Sequence, residues 1–292
     1  MTNGTPAEGS SRSLQTYQVV GQILGPGIFL AMMLTGQWQE IMPDTAWRAA
    51  AVGLWMAVWW ATEAIPVPVT ALLPLIVFDP LGVASIRDAA ADYAHPTVFL
   101  FMGGFIMALA LERWDLHRRI ALYVVDHAGT DGRRLIGGFM LVCAVLSMWM
   151  TNTSTTMMLL PIVISVAAVI RDNVPNLSEK ARNDFQIAML LGLAYSASIG
   201  GLATLIGTPP NALLMGFMEE TYGIEISFAR WMLVGIPVSF TMLPIAWFLL
   251  TRYLFPCDIP ASDAVKNHLH ALRSEMGAMS TAERRVGFVF IC

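Results

Sequence analysis

The sequence predicts an all-α, polytopic membrane protein, and three observations predict it. Of its 292 residues, 56% are hydrophobic and only 13% charged, roughly half the ~25% charged share of a soluble domain, and the mean hydropathy is +0.60. A water-soluble fold cannot hide that much apolar surface. The apolar residues also gather in runs of membrane-crossing length, and the basic residues collect between those runs on alternate sides. The net charge of −4 lacks the basic footprint of a nucleic-acid binder. Cys143, Cys257 and Cys292 show neither disulfide-scaffold nor zinc spacing.

Residues 1–16 are polar and rich in Ser, Thr and Gly, which predicts a disordered tail. Apolar runs follow at Tyr17–Gly36, Ala46–Ala61, Ile65–Phe78, Thr97–Leu111, Leu135–Ile170, Phe185–Met218 and Trp231–Phe255, and a last one opens at Val286. Gly21-x-x-x-Gly25 is a helix-packing pattern inside the first. With the N-terminus inside and the first four runs each crossing once, segments 37–48, 79–92 and 219–230 face outward. They hold only Arg48, Arg87 and Arg230, leaving 14 of the 17 Lys and Arg inside. That positive-inside pattern predicts a multi-pass protein of the plasma (inner) membrane with a cytoplasmic N-terminus.

Two runs do not fit a plain crossing. Leu135–Ile170 is flanked by basic residues at both ends, so both ends belong on one side. Its 36 residues fall between the roughly 20 of one crossing and the roughly 40 of two. Its middle, Ser147–Thr156, is the most polar stretch in any of the runs. A re-entrant hairpin of two half-length helices meeting at a polar tip accounts for this; two short spans joined by a polar outer loop are the alternative. Phe185–Met218 must cross once, yet holds 34 residues and is interrupted by Ser196-Ala-Ser-Ile-Gly-Gly201 and Gly207-Thr-Pro-Pro-Asn211. Paired glycines stop a helix, and Thr208 before Pro209 is an N-cap followed by proline at the first helical position. The expectation is a broken helix: about 14 residues, an unwound loop around Gly200, and a half-helix from Pro209. A simple proline kink is the alternative.

Between Pro256 and Glu283 the chain is polar, with Val265, Leu269, Leu272 and Met276 at helical spacing, an amphipathic helix expected along the membrane surface. Ser280-Thr-Ala-Glu283 is a capping-box pattern that starts the next run.

Irregular backbone at membrane depth survives only when packed in protein or lining a wet cavity, and interrupted segments are where secondary transporters build midplane sites. Carbonyls at half-helix C-termini suit a cation, and free N–H groups at half-helix N-termini suit an anion. Ser147, Thr151 and Asn152 offer neutral oxygens, with Ser147 and Thr151 expected on one helix face at i,i+4, and the Gly200 carbonyl is expected in the unwound loop. Hydroxyls bonded back to their own helix, and a plain interhelical bond for Asn152, are competing readings. Glu63 reads as an interfacial charge between two runs. Neither a nucleophile–base pair of an enzyme nor a His/Cys metal constellation is visible.

At these residues the chain resembles the divalent anion:sodium symporter family. The resemblance is carried by WWATEAIPVPVTALLPLIVFDPLGV (59–83), HPTVFLFMGGFIMALALERWDLHRRIAL (95–122), SMWMTNTSTTMMLLPIVISV (147–166) and SASIGGLATLIGTPPN (196–211). The family's Ser-Asn-Thr hairpin tip reads Thr151-Asn152-Thr153 here. The resemblance implies sodium-coupled symport of di- or tricarboxylate-type anions. Sodium would be held by Ser147, Thr151, Asn152 and the Gly200 carbonyl, and the anion by Asn152 and Thr153, with Thr208 and Asn211 from the facing loop. It further implies an elevator mechanism, a homodimer in the lipid bilayer, and the first inverted-repeat half of such a transporter. In that frame 17–134 are scaffold spans, 135–255 part of the transport domain, 256–285 a cytoplasmic linker and 286–292 the start of a truncated span. A proton-coupled or exchange-type organic anion or sulfate transporter, and a non-transporting membrane subunit, are the alternatives.

Overall fold

The computed structural model describes residues 15–174 and 177–291, and every regular element among them is helical. The predicted tail, up to residue 14, lies outside the described residues. Four helical stretches among the described residues are long and apolar enough to cross a membrane: Thr16–Trp38, Ile86–Arg113, Asn152–Asn173 and Phe228–Leu254. The chain forms two compact units that divide at Pro96.

In the first unit, α1 (Thr16–Thr35) packs on α2 (Asp44–Thr62). The Gly21/Gly25 pattern does what small residues do between membrane helices, letting side chains of the partner lie against the backbone. A Cβ on Gly21 would sit 1.9 Å from Thr62 Oγ1, and one on Gly25 would sit 2.7 Å from Trp55 Cδ1. α2 ends where Glu63 turns left-handed at φ 47°. The Gln18 and Gln22 side chains then donate to the carbonyls of Glu63 (3.2 Å) and Ala64 (2.8 Å), groups the finished helix leaves bare.

The expected crossing at Ile65–Phe78 is not one helix. It is two short pieces, α3 (Val67–Thr70) and α4 (Leu73–Val77). Pro74 lacks the N–H that would continue the helix from Thr70, and its ring clashes with that carbonyl. The whole apolar stretch Val67–Val77 reaches only about 16 Å at 1.5 Å per residue, against a hydrocarbon core of about 30 Å. α5 (Ile86–Tyr93) closes the unit, with Ser85 as its N-cap and Tyr93 Oη donating to Ala71 O at 2.5 Å.

The second unit begins with α6 (Pro96–Arg113) and α7 (Leu116–Ala128), then folds into α8 (Gly132–Ser147) and α9 (Asn152–Asn173). α8 and α9 pack against each other across the turn at Met148–Thr151, so the predicted hairpin break is present. Its arms are unequal: α8 has 16 residues and α9 has 22. At about 33 Å, α9 is full crossing length, not half. The long helix α10 (Glu179–Gly201) packs on both arms, followed by α11 (Pro209–Tyr222) and α12 (Phe228–Phe248), which continues into a π-helical turn at Leu249–Leu254. Asp131, Thr151, Ser178 and Ser227 cap their helices through the side-chain oxygen. The core between α7, α8, α9 and α10 is built on Phe139, Met140, Leu159, Phe185, Met189 and Leu193.

α13 (Asp263–Glu275) is amphipathic as predicted, but its apolar face meets protein rather than lipid. Val265 and Leu269 are buried against α7 and α9, with Leu272 and Met276 packed on the same core. α14 (Thr281–Ile291) starts with the predicted capping box: Glu283 N–H donates to Ser280 Oγ (3.1 Å) and Ser280 N–H to Glu283 Oε2 (2.5 Å). Arg119 of α7 clamps this corner, reaching Glu283 Oε1 at 2.9 Å and the carbonyls of Gly277 and Met276. The Ser280 N–H and the Arg119 guanidinium hold the Glu283 carboxyl below the ordinary carboxylate range.

Candidate binding site at the hairpin tip

The predicted unwinding around Gly200 starts later in the chain. α10 stays helical through Gly201, and the irregular segment is Leu202–Thr208. The helix ends at the paired glycines, as expected, and the same glycines let α10 press onto α8. A Cβ on Gly200 would lie 2.1 Å from Ala144 O and 2.6 Å from Ala144 Cα, and one on Gly201 would lie 2.4 Å from Asn152 Oδ1. Gly207 then returns between the two helix ends, where a Cβ would lie 2.6 Å from Gly201 O and 2.9 Å from Ser147 O. The end of α8, the start of α9 and the end of α10 therefore converge on one tightly packed point.

Ser147 and Thr151 do not share a helix face. Ser147 is the last residue of α8 and Thr151 is the N-cap of α9, because the chain turns between them. Ser147 Oγ is fully buried and lies 2.7 Å from Ala197 O and 2.8 Å from Asn152 Oδ1. A serine hydroxyl carries one proton, so these three oxygens share a single hydrogen. The cluster is balanced either by the Asn152 amide turned to donate its NH₂ or by a cation. Thr151 Oγ accepts Ser154 N–H at 3.3 Å and so organises the first turn of α9, while Thr153 is exposed one residue beyond Asn152. The Gly200 carbonyl accepts Ala203 N–H at 2.9 Å and keeps its second lone pair.

On the loop side, Thr208 occupies the N-cap position of α11, with Pro209 and Pro210 at its first helical positions, but its hydroxyl makes no capping bond. Asn211 is buried, and its amide nitrogen donates to Gly201 O (2.8 Å) and Thr204 O (2.7 Å). Both of its N–H donors are thus engaged in holding the loop. The structure brings Ser147, Asn152, Gly200 and Asn211 to the same helix ends, with Thr151 and Thr153 next to them in sequence and Thr208 at the loop's far end.

Four contributors escaped the sequence reading. Thr204, fully buried, donates to the Met148 carbonyl at the hairpin turn and accepts Gly207 N–H at 3.1 Å, tying loop to tip. The Ala197 carbonyl is a backbone group and leaves no trace in residue type. Ser239 Oγ donates to Ile199 O (2.7 Å) and Trp231 Nε1 to Leu202 O (2.9 Å), so α12 braces the end of α10. Thr204 alone carried a signal, a lone hydroxyl between apolar residues and flanking glycines. A cavity of about 500 Å³ in the second unit lies elsewhere, beside Glu112, His117, Pro161 and Ser165.

A family model for citrate transporters matches residues 57–284, which include every one of these positions. The chain is 36% identical over 282 residues to a sodium-dependent dicarboxylate transporter, SdcS, of Staphylococcus saprophyticus, covering 96% of this chain and 54% of the relative. It is 37% identical over 276 residues to the SdcS of Staphylococcus aureus strain USA300, covering 94% of this chain and 53% of that protein. The chain spans about half the length of the curated relatives it matches. These relatives are transporters, not enzymes, in agreement with the resemblance to divalent anion:sodium symporters. With the matched region running unbroken through both the hairpin tip and the α10–α11 loop, the chain belongs to the citrate transporter family, whose members are integral membrane proteins.

Proposed function

We propose that the protein serves sodium-coupled symport of dicarboxylate-like anions, with the α8–α9 tip as its sodium site. The observation that carries this reading is the buried convergence of the Ser147 hydroxyl, the Asn152 side-chain amide and the Ala197 carbonyl, the last two lying 2.8 and 2.7 Å from Ser147 Oγ. Neutral oxygens of this kind suit a hard cation and require no deprotonation. Ser147, Thr151, Asn152 and the Gly200 carbonyl hold the ion. The positive end of α9, with Asn152 and Thr153, then faces a substrate carboxylate. Thr208 takes part from the facing loop, and Asn211 acts by fixing that loop. Sodium binds first and offsets part of the anion's charge; without it a dianion would meet only dipoles. The names of the relatives favour a dicarboxylate.

The re-entrant placement of the hairpin, its rigid-body elevator motion with the broken helix against the first spans, the homodimer and the cytoplasmic N-terminus belong to the same proposal. They are supported by the resemblance to divalent anion:sodium symporters.

Uptake of labelled succinate into cells expressing the protein, in sodium against choline buffer, tests the function. Uptake is expected in sodium alone. Asn152→Ala is expected to lower it at least about tenfold, equivalent to about 1.4 kcal/mol, at unchanged expression. Equal uptake in choline, or full sodium dependence in the variant, overturns the assignment.

A further inference from the structure

A second, smaller cavity of about 200 Å³ lies where α9 ends and α10 begins, lined by Arg171, Glu179, Arg182, Asn183 and Gln186 over the buried Ile170. Arg182 is the unusual member. Its Nε is buried with no hydrogen-bond partner, and no ion pair reaches its guanidinium among the described residues. A half-buried, unpaired guanidinium is costly, because desolvation is compensated only when its donors are satisfied. Among the described residues Arg171 on the same rim pairs with its neighbour Asp172 alone, at 2.9 Å and with both side chains 61% exposed, a contact worth little in water and free to rearrange. Asn183 and Gln186 add neutral N–H donors. The carboxylate of Glu179 opposes an anion, but it is exposed and solvated.

The depth of the cavity says which anion it meets. The apolar stretch of α9 ends at Ile170, directly before Arg171, and that of α10 starts at Phe185, directly after Arg182 and its neighbours. Where two apolar helix stretches enter the membrane side by side, that position is the level of the lipid headgroups, where basic pockets between helices bind anionic lipid. We propose that Arg182, with Arg171, forms a phosphate-recognising subsite that holds the headgroup of an anionic phospholipid between α9 and α10. The planar fork of Arg182 engages two phosphate oxygens, and the space accommodates the group with a few waters at roughly 30 Å³ each.

The test is native mass spectrometry of the full chain released from micelles of phosphatidylglycerol in phosphatidylcholine. The wild type is expected to retain one phosphatidylglycerol that Arg182→Gln loses, with affinity lower by about tenfold or more, the scale of one hydrogen bond to a charged group. Arg182→Lys, which keeps the charge without the fork, falls between them, and Arg87→Gln in the other unit matches the wild type. If Arg182→Gln fails to fold, Arg171→Gln, at an exposed position, carries the same comparison and is expected to weaken retention. A parallel arm replaces the lipid with millimolar inorganic phosphate. Competition between the two confirms a shared phosphate subsite, whereas phosphate binding with no lipid retention overturns the headgroup assignment. Equal retention by wild type and a folded Arg182→Gln overturns the site altogether.

Discussion

Gly200→Ala is the most demanding test of the packing that builds the tip. The substitution keeps the Gly200 carbonyl and suits a helix, where alanine is favoured over glycine by roughly 0.5–1 kcal/mol. In isolation it should stabilise. Here the added methyl would lie 2.1 Å from Ala144 O, 2.6 Å from Ala144 Cα and 2.7 Å from the Ala144 carbonyl carbon. All three are backbone atoms of α8, so no rotamer change relieves the clash. The two helices must part by something over 1 Å to restore an ordinary contact, and overpacking of this kind costs about 1–3 kcal/mol or more. The same displacement pulls Ser147 Oγ from Ala197 O, now 2.7 Å away, out of hydrogen-bond reach. The expected result is a fall in thermal midpoint of several degrees, at roughly 2–4 °C per kcal/mol for a domain of this size, together with loss of sodium-dependent uptake. Gly216→Ala on α11, where a Cβ meets nothing within 4 Å, is the matched control and should be neutral or slightly stabilising. Thermal unfolding of the purified protein reads both. A Gly200→Ala midpoint equal to that of Gly216→Ala would refute the close approach of α8 and α10, and with it the convergence of oxygens at the tip.

Two further outcomes follow from the same geometry. Thr204→Val preserves shape but leaves Met148 O and Gly207 N–H without their partner; a loss of about 1–3 kcal/mol is expected, read as a lower thermal midpoint, whereas the exposed Thr153→Val should leave that midpoint unchanged. Glu283 has a folded-state pKa held below its ordinary value, by the Ser280 N–H first and by Arg119. Its contribution to docking α14 on α7 is therefore complete at neutral pH and is lost as pH falls through the acidic range below the ordinary carboxylate value. Glu283→Gln should remove that acid dependence, followed by hydrogen exchange at the α13–α14 corner; an unchanged pH profile in the variant contradicts the role.

Much of this architecture is legible in the residues because membrane-depth physics leaves few options. Runs of spanning length, a hairpin break somewhere within Ser147–Thr156, the start of α11 at Thr208-Pro209 and the Ser280–Glu283 capping box follow from local chemistry, and local chemistry is written in sequence. The errors share a different cause. The glycines at 200 and 201 end α10 where the sequence expects it, but that they also let α8 touch the helix shows only in the position of Ala144. Val265 and Leu269 advertise an apolar face without naming what covers it, and α7 and α9 turned out to cover it. Ile65–Phe78 has the hydropathy of a span, but its prolines break it into pieces too short to be one.

By itself the sequence determined that this is a helical membrane protein, which family it resembles, and which polar residues sit in broken segments at membrane depth. These properties depend on composition and short-range spacing. Only the tertiary structure decided that Ser147, Asn152 and the carbonyls of Ala197 and Gly201 meet at one point, that Asn211 and Thr204 hold the loop, and that Arg182 has no partner within the described chain. Those facts rest on backbone oxygens and on contacts between residues some fifty positions apart in sequence, and no pattern of side-chain types specifies where two helices, each already stable in its own register, will touch.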